Sequence, residues 1–225
     1  MSLLLAFRGN GTLQADRLIA RKLAIESFAA DIAWADDRLA VRRVHGRALG
    51  GDLGGMANID LTPSVTTTGS FALTNGDAAA SAALVGVPWG QGRGTLNGDF
   101  SFEGVEHAQV GDTLRANLHF ALQNGSLHRF ATHGDLPFRS WAGDAEVASR
   151  TLKLTRSTLR SGNDTLALTG TVTSDLRLDL KASSASTVAS ITGTLAAPAV
   201  TTSTTTTYSA SNPEDATSAP AKKRD

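Results

Sequence analysis

The sequence predicts a mainly β protein: a long, curved, open antiparallel sheet, groove-like or taco-like, with one or two short helices and a disordered C-terminal tail. Three observations carry this. Apolar and polar residues alternate with period two along most of the chain. Turn residues punctuate the alternation. The apolar content is mostly Ala, Leu and Val, with 41% hydrophobic but only 5% aromatic residues among 225. Such small side chains make a thin core, which suits a sheet burying one face better than a sphere with an aromatic centre.

The alternation is explicit in four stretches. Leu39 and Val41 alternate with Arg38, Ala40 and Arg42. Leu96, Gly98, Phe100 and Phe102 alternate with Thr95, Asn97, Asp99 and Ser101. Leu118, Phe120 and Leu122 alternate with Asn117, His119, Ala121 and Gln123. Leu176, Leu178 and Leu180 alternate with Asp175, Arg177, Asp179 and Lys181. A strand sends successive side chains to opposite faces, so each stretch has one apolar and one wet face. A helix would need apolar residues at i, i+3 and i+4, and these stretches lack that spacing.

Turns are expected where glycine and asparagine supply left-handed backbone at low cost. The candidates are Gly9-Asn10-Gly11, Gly50-Gly51-Asp52, Gly54-Gly55, Asn75-Gly76-Asp77, Asn124-Gly125-Ser126 and Gly162-Asn163-Asp164. Their spacing implies a meander of about ten or more strands. Two stretches break the pattern. Residues 77–84 read DAAASAAL, a helix with Asp77 as its N-cap. Residues 112–118 read DTLRANL, a short helical turn leading into a strand. The phrase Gly-Thr-Leu recurs at Gly11, Gly94 and Gly193, with Gly170-Thr171-Val172 as a variant; its spacing is too irregular for a strict solenoid. The expected organisation is a ragged N-terminal end over 1–8, a β domain over 9–200, and a disordered Thr/Ser-rich tail over 201–225, the polar composition setting in near Ala199.

Charge and motifs narrow the function. Lys+Arg and Asp+Glu balance at 21 each, so there is no basic excess of the kind that nucleic-acid binding uses. Arg38, Arg42, Arg43 and Arg47 read as the solvated face of a strand. No cysteine is present, so disulfides and thiolate metal sites are excluded. The apolar run Leu3–Phe7 is far short of the roughly 18 residues that a membrane-crossing helix needs. The sequons at Asn10, Asn124 and Asn163 overlap turn signals.

No catalytic or metal-binding residues and no cofactor are assigned. The run Gly90-Gln91-Gly92-Arg93-Gly94 imitates part of a dinucleotide fingerprint, but a β pattern follows where a helix is required. Asp99 and Glu103 are a conceivable carboxylate pair but look like outward strand residues. An enzyme would need a cluster such as His119, His128, His133 and Asp135 to converge in one cleft. What remains is the apolar sheet face. Leu96, Phe100, Phe102, Leu118, Phe120 and Leu122 are its candidate lining, and an acyl chain is one thing that could fill it. The alternative is a scaffold or interaction module with a closed, dry core, in which the helices at 77–84 and 112–118 seal that face.

Several segments, in order, resemble the C-terminal region of the AsmA family. Residues 39–61, LAVRRVHGRALGGDLGGMANIDL, are similar to its strand, Gly-Gly turn and strand. Residues 70–84, SFALTNGDAAASAAL, are similar to its strand and short helix. Residues 92–130 resemble its glycine- and leucine-spaced central segment. LALTGTVTSDLRLDLKAS at 166–183 and ITGTLAAPAV at 191–200 resemble its closing hairpins, the last being the most specific. The resemblance implies a non-enzymatic β-groove with a role in outer-membrane biogenesis in Gram-negative bacteria. It implies a periplasmic location, an inner-membrane anchor in the full-length protein, and phospholipid carried in an apolar interior. The anchor and upstream groove have no counterpart in these residues, so the chain reads as a fragment or a truncated reading frame whose partner is the upstream part of the same protein or another envelope protein.

Overall fold

The computed structural model describes residues 8–20, 22–131, 134–185 and 187–204. They form one antiparallel sheet of 13 strands in strict sequential order, open at both edges and not closed into a barrel. The strands are β1 (Gly9–Ala20), β2 (Leu23–Ala35), β3 (Arg38–Ala48), β4 (Gly51–Asp60), β5 (Thr66–Asp77), β6 (Gly90–Glu103), β7 (Arg115–Ala131), β8 (Gly134–Ala148), β9 (Thr151–Ser161), β10 (Asp164–Thr173), β11 (Arg177–Ser183), β12 (Thr187–Thr194) and β13 (Ala197–Thr204). Helix α1 (Ala78–Val85) connects β5 to β6, and α2 (His107–Thr113) connects β6 to β7.

The register aligns the apolar residues of neighbouring strands on one face, the inner face. One row runs Val41, Ala57, Gly69, Phe100, Ala116, Val147, Leu152, Val172, Leu178, Gly193. The next runs Val44, Gly55, Phe71, Gly98, Leu118, Ala145, Leu154, Gly170, Leu180, Ile191, Val200. Small and large residues mix along both rows. The four Gly-Thr-Leu or Gly-Thr-Val phrases now have a common meaning. Gly11 lies opposite Ile32, Gly94 opposite Leu122, Gly170 between Leu154 and Leu180, and Gly193 opposite Leu178. Each places a glycine in register with a large aliphatic of the inner face.

The sheet curls most towards its C-terminal end. β13 returns to within 8 Å (Cα–Cα) of β7, strands six apart in the sheet order. Between them lies the main core of Leu127, Phe130, Phe138, Leu154, Leu159, Leu168, Leu178, Leu180 and Ile191. The N-terminal end is thinner. Leu13 faces Ala30 on the inner side yet stays 46% exposed, since among the described residues β1 has no neighbour on its other edge.

Three expectations are corrected. Of the six turn candidates, only Gly50 and Gly162-Asn163 sit at hairpin tips; Gly9-Asn10-Gly11, Gly54-Gly55, Asn75-Gly76-Asp77 and Asn124-Gly125-Ser126 lie inside strands. Asn75 (φ 56°) is left-handed where the β5–β6 register slips between Leu73 and Gly76. Asn124 (φ 50°) is left-handed opposite the slip between Gln91 and Arg93. Left-handed Asn-Gly serves a bulge as well as a hairpin, and the continuing strand decides which. Other tips are Asp36-Asp37 (φ 50° and 59°) and Ser149-Arg150 (φ 46° and 64°), pairs in which both residues are left-handed and neither is glycine. The second helix spans His107–Thr113 rather than 112–118, because Arg115 onward pairs with β6 and β8. The Gly-Thr-Leu at Gly193 ends β12, with Leu195 in the following turn.

The third correction concerns the tail. Residues 197–204 form β13, paired to β12 from Thr194↔Ala197 to Thr187↔Thr204. A ladder is made by backbone groups, and β-branched threonine fits a strand, so low apolar content does not bar an edge strand here. The remainder of the expected tail, 205–225, and the run Leu3–Phe7 lie outside the described residues. The helix expected at 77–84 is present: Asp77 caps it by accepting the Ala79 N–H at 2.8 Å, and left-handed Gly86 (φ 75°) ends it.

Leu159 is fully buried and Leu13 is not. Leu159→Ala is predicted to destabilise the protein by about 2–5 kcal/mol, and Leu13→Ala by less than ~1 kcal/mol. Urea unfolding of the two variants checks this; equal losses would contradict the placement of the core at the curled end.

Candidate functional site

An apolar cavity of about 420 Å³ lies on the inner face of the curl. β6 and β7 supply Leu96, Leu118, Phe120, Leu122, Leu127 and Phe130 to one wall. β8 to β11 supply Trp141, Ala145, Leu154, Leu168, Leu178 and Leu180 to the other. One end meets α1 through Asp77, Ala78, Ser81 and Val85; Leu176 and Leu195, in the turns after β10 and β12, stand at the lining's other limit. Aside from the indoles of Trp89 and Trp141, the only polar residues of the lining are Asp77, Ser81 and Thr95.

Local packing sets the shape. Phe120 meets Trp141 edge-on at a centroid distance of 5.0 Å, and Phe138 meets the same indole at 6.2 Å. The Trp141 N–H donates to the buried Ser157 hydroxyl at 2.9 Å, which keeps the ring's one polar atom satisfied.

All six sequence candidates are half-buried and share the inner face. Leu96, Leu118, Phe120 and Leu122 line the cavity. Phe100 and Phe102 do not; they stack on each other at 6.2 Å, with Phe71 6.5 Å from Phe100, towards the other end of β6. The structure adds Trp141, Leu154, Leu168, Leu178 and Leu180 from the C-terminal strands. Their alternation in LKL, LAL and LDL was the available signal, but only the curl brings them opposite β6 and β7.

The helices do not seal this face. α1 buries only Ala78 and Ala82, and α2 buries no residue.

Polar clusters lie elsewhere. His119 and Asp144 pair across β7 and β8 at 2.5 Å, and Arg156 reaches the same carboxylate at 2.9 Å. His128 and Asp135 pair at 2.9 Å, and the Arg129 N–H donates to Asp135 at 2.9 Å. Of the conceivable catalytic cluster, His128 and Asp135 therefore meet. His119 is nine residues away along β7, on the order of 25–30 Å, and His133 lies outside the described residues. His128 and Asp135 border a separate recess of about 350 Å³ beside α1, with Ser126 and Gln91. Asp99 and Glu103 sit four residues apart on β6, about 13 Å, wider than the spacing at which paired carboxylates act on a glycosidic bond. Among the described residues no group of three or more His, Cys, Asp or Glu side chains is placed to hold a metal ion. Gly90–Gly94, the dinucleotide-like run, opens strand β6 and leads into no helix. Arg38, Arg42, Arg43 and Arg47 are all exposed; Arg38 pairs with Asp60 at 2.6 Å, and Arg43 pairs with Asp31. Among the described residues no helix is long and apolar enough to cross a membrane, which leaves strand-spanning architectures untouched.

The chain matches no family model, no curated protein and no solved structure.

The His119 hydrogen bond, with Arg156 in support, holds the Asp144 carboxyl below its ordinary value of 3.8. A carboxyl depressed by folding stabilises the fold above its unfolded value, and that contribution disappears as pH falls through the folded value. Asp144→Asn is therefore predicted to lower the urea midpoint at about pH 6 and to converge on the parent as pH falls below the ordinary carboxyl value of 3.8. A midpoint difference that persists at the acid end would show that the network does not act through ionised Asp144.

Proposed function

We propose that this chain is a non-enzymatic, lipid-handling β-groove segment of an AsmA-like envelope protein, which binds phospholipid along its apolar sheet face. The single observation that carries the reading is the cavity: about 420 Å³, within the roughly 300–1,000 Å³ typical of ligand sites, and almost without polar side chains. Its leucine, phenylalanine and tryptophan walls stand apart and leave space that a packed core would fill. The charged pairs stand away from it, so the cavity offers a hydrocarbon environment and little that would hold a polar substrate. On this reading the protein works in outer-membrane biogenesis in the periplasm of a Gram-negative bacterium. The full-length protein is held in the inner membrane, and the partner is its upstream part or another envelope protein.

A scaffold with a dry core is the second reading. Leu159, Leu168 and Ile191 favour it, being at most 2% exposed. The unfilled space beside Leu168 and the failure of α1 and α2 to cover the face weigh for the first.

Native mass spectrometry of protein purified without detergent is expected to show bound phospholipid, and a fluorescent phospholipid is expected to be taken up. Phe120→Glu places a charge in the lining and is predicted to reduce uptake by about tenfold or more. Protein that carries no lipid and takes up none would sink the lipid reading in favour of the dry scaffold.

A further inference from the structure

We infer that the cavity is a length-limited pocket for one acyl chain of about sixteen carbons, seated with its polar end towards α1, and not a segment of continuous conduit. This rests on the lipid reading above and narrows it to a single-chain site.

Volume sets the occupancy. An apolar protein cavity of about 150 Å³ holds one benzene, six carbons, or about 25 Å³ per carbon. At that density about 420 Å³ accommodates some seventeen carbons, one chain and not two. The second chain of a diacyl lipid therefore has no room inside.

The two ends differ. At the α1 end, Asp77 and Ser81 are the polar groups of the lining nearest the connection between β5 and β6. At the other, Leu176 and Leu195 are joined by a backbone hydrogen bond, the Leu195 N–H donating to the Leu176 carbonyl at 2.8 Å. That bond ties the β10–β11 turn to the β12–β13 turn and sets two leucines side by side at that limit. The curl that brings β13 within 8 Å of β7 supports the same end. A chain entering past α1 thus runs towards leucine, and its length is limited by where those leucines stand.

The test is a series of lysophosphatidylcholines with acyl chains from about eight to about twenty carbons, added to the full chain. Binding is read by titration, and bromine-labelled versions report contact with Trp89 and Trp141 by quenching. Affinity is expected to rise about fourfold per methylene, the increment for burying one CH₂, and to stop rising near sixteen carbons. Native mass spectrometry is expected to count one chain per protein. Ala145, buried between Leu118 and Leu154, is the place to fill the pocket. Ala145→Phe is expected to lower the ceiling by about four to six carbons. Leu118→Ala only enlarges the space and is expected to raise the ceiling by about three carbons, so the inference stays exposed to failure even if Ala145→Phe does not fold. Affinity that climbs without a break through twenty carbons, two or more chains per protein, or a ceiling indifferent to both substitutions overturns the length-limited pocket and leaves a lipid groove standing. Absence of binding at every length overturns the lipid reading itself.

Discussion

The shape of this protein depends on where the inner face has no side chain. A Cβ added to Gly69 would stand 2.6 Å from the Phe100 ring, one on Gly98 would stand 2.8 Å from Leu118, and one on Gly125 would stand 2.6 Å from Phe138. Contacts that close are not sustained, so each bulky neighbour lies over a glycine of the adjoining strand. Cross-strand pairs are the unit in which sheets are stabilised. Here the pairs are asymmetric, with bulk on one strand and open space on the next. That lets strands bend inward without their apolar side chains colliding, while bulges at Asn75 and Asn124 add local twist. The inward bend of β5 to β7, and with it the wall of the cavity that β6 and β7 supply, follows from it.

The curl is uneven, and this divides the molecule's physics. From β7 onward the inner face is enclosed enough to bury Leu159 and Leu168 almost completely. Before β6 the same face is shallower, and apolar side chains such as Leu13 and Leu18 remain partly in water. Ion pairs do not compensate for the difference. Arg38–Asp60, Arg43–Asp31 and Arg177–Asp175 are all well exposed on the arginine side, where such pairs contribute little. Stability resides in the apolar enclosure of the C-terminal half. The N-terminal half is held chiefly by its hydrogen-bonded ladders.

Sequence carried the strand meander and the identity of the inner face. Period two is a local property, and the residues at 96, 118, 120 and 122 declare their side without reference to anything distant. What it did not carry was everything that needs two segments at once. Asn75-Gly76 and Asn124-Gly125 have the backbone of a turn, and only the paired strand turns them into bulges. Thr201 and Thr202 look like tail until Ser190 and Ala189 of β12 offer them a ladder. Phe100 and Phe102 share the face of Leu96 but not its cavity, because curvature, which no single strand encodes, decides how deep each position lies.

The distribution of polar groups completes the argument about function. Nucleophiles, acids and bases serve chemistry when they converge beside a bound substrate. Here His119 with Asp144, and His128 with Asp135, are paired at partly exposed positions, and the lining of the main cavity contains none of the four. Within the enclosed half, the buried hydroxyl of Ser157 is already used to satisfy the Trp141 indole. The same alternation that sends leucine inward sends each charged neighbour outward. An apolar inner face asks for large aliphatic or aromatic residues at alternate positions, and Leu118, Phe120 and Leu122 on β7 and Leu178 and Leu180 on β11 supply them.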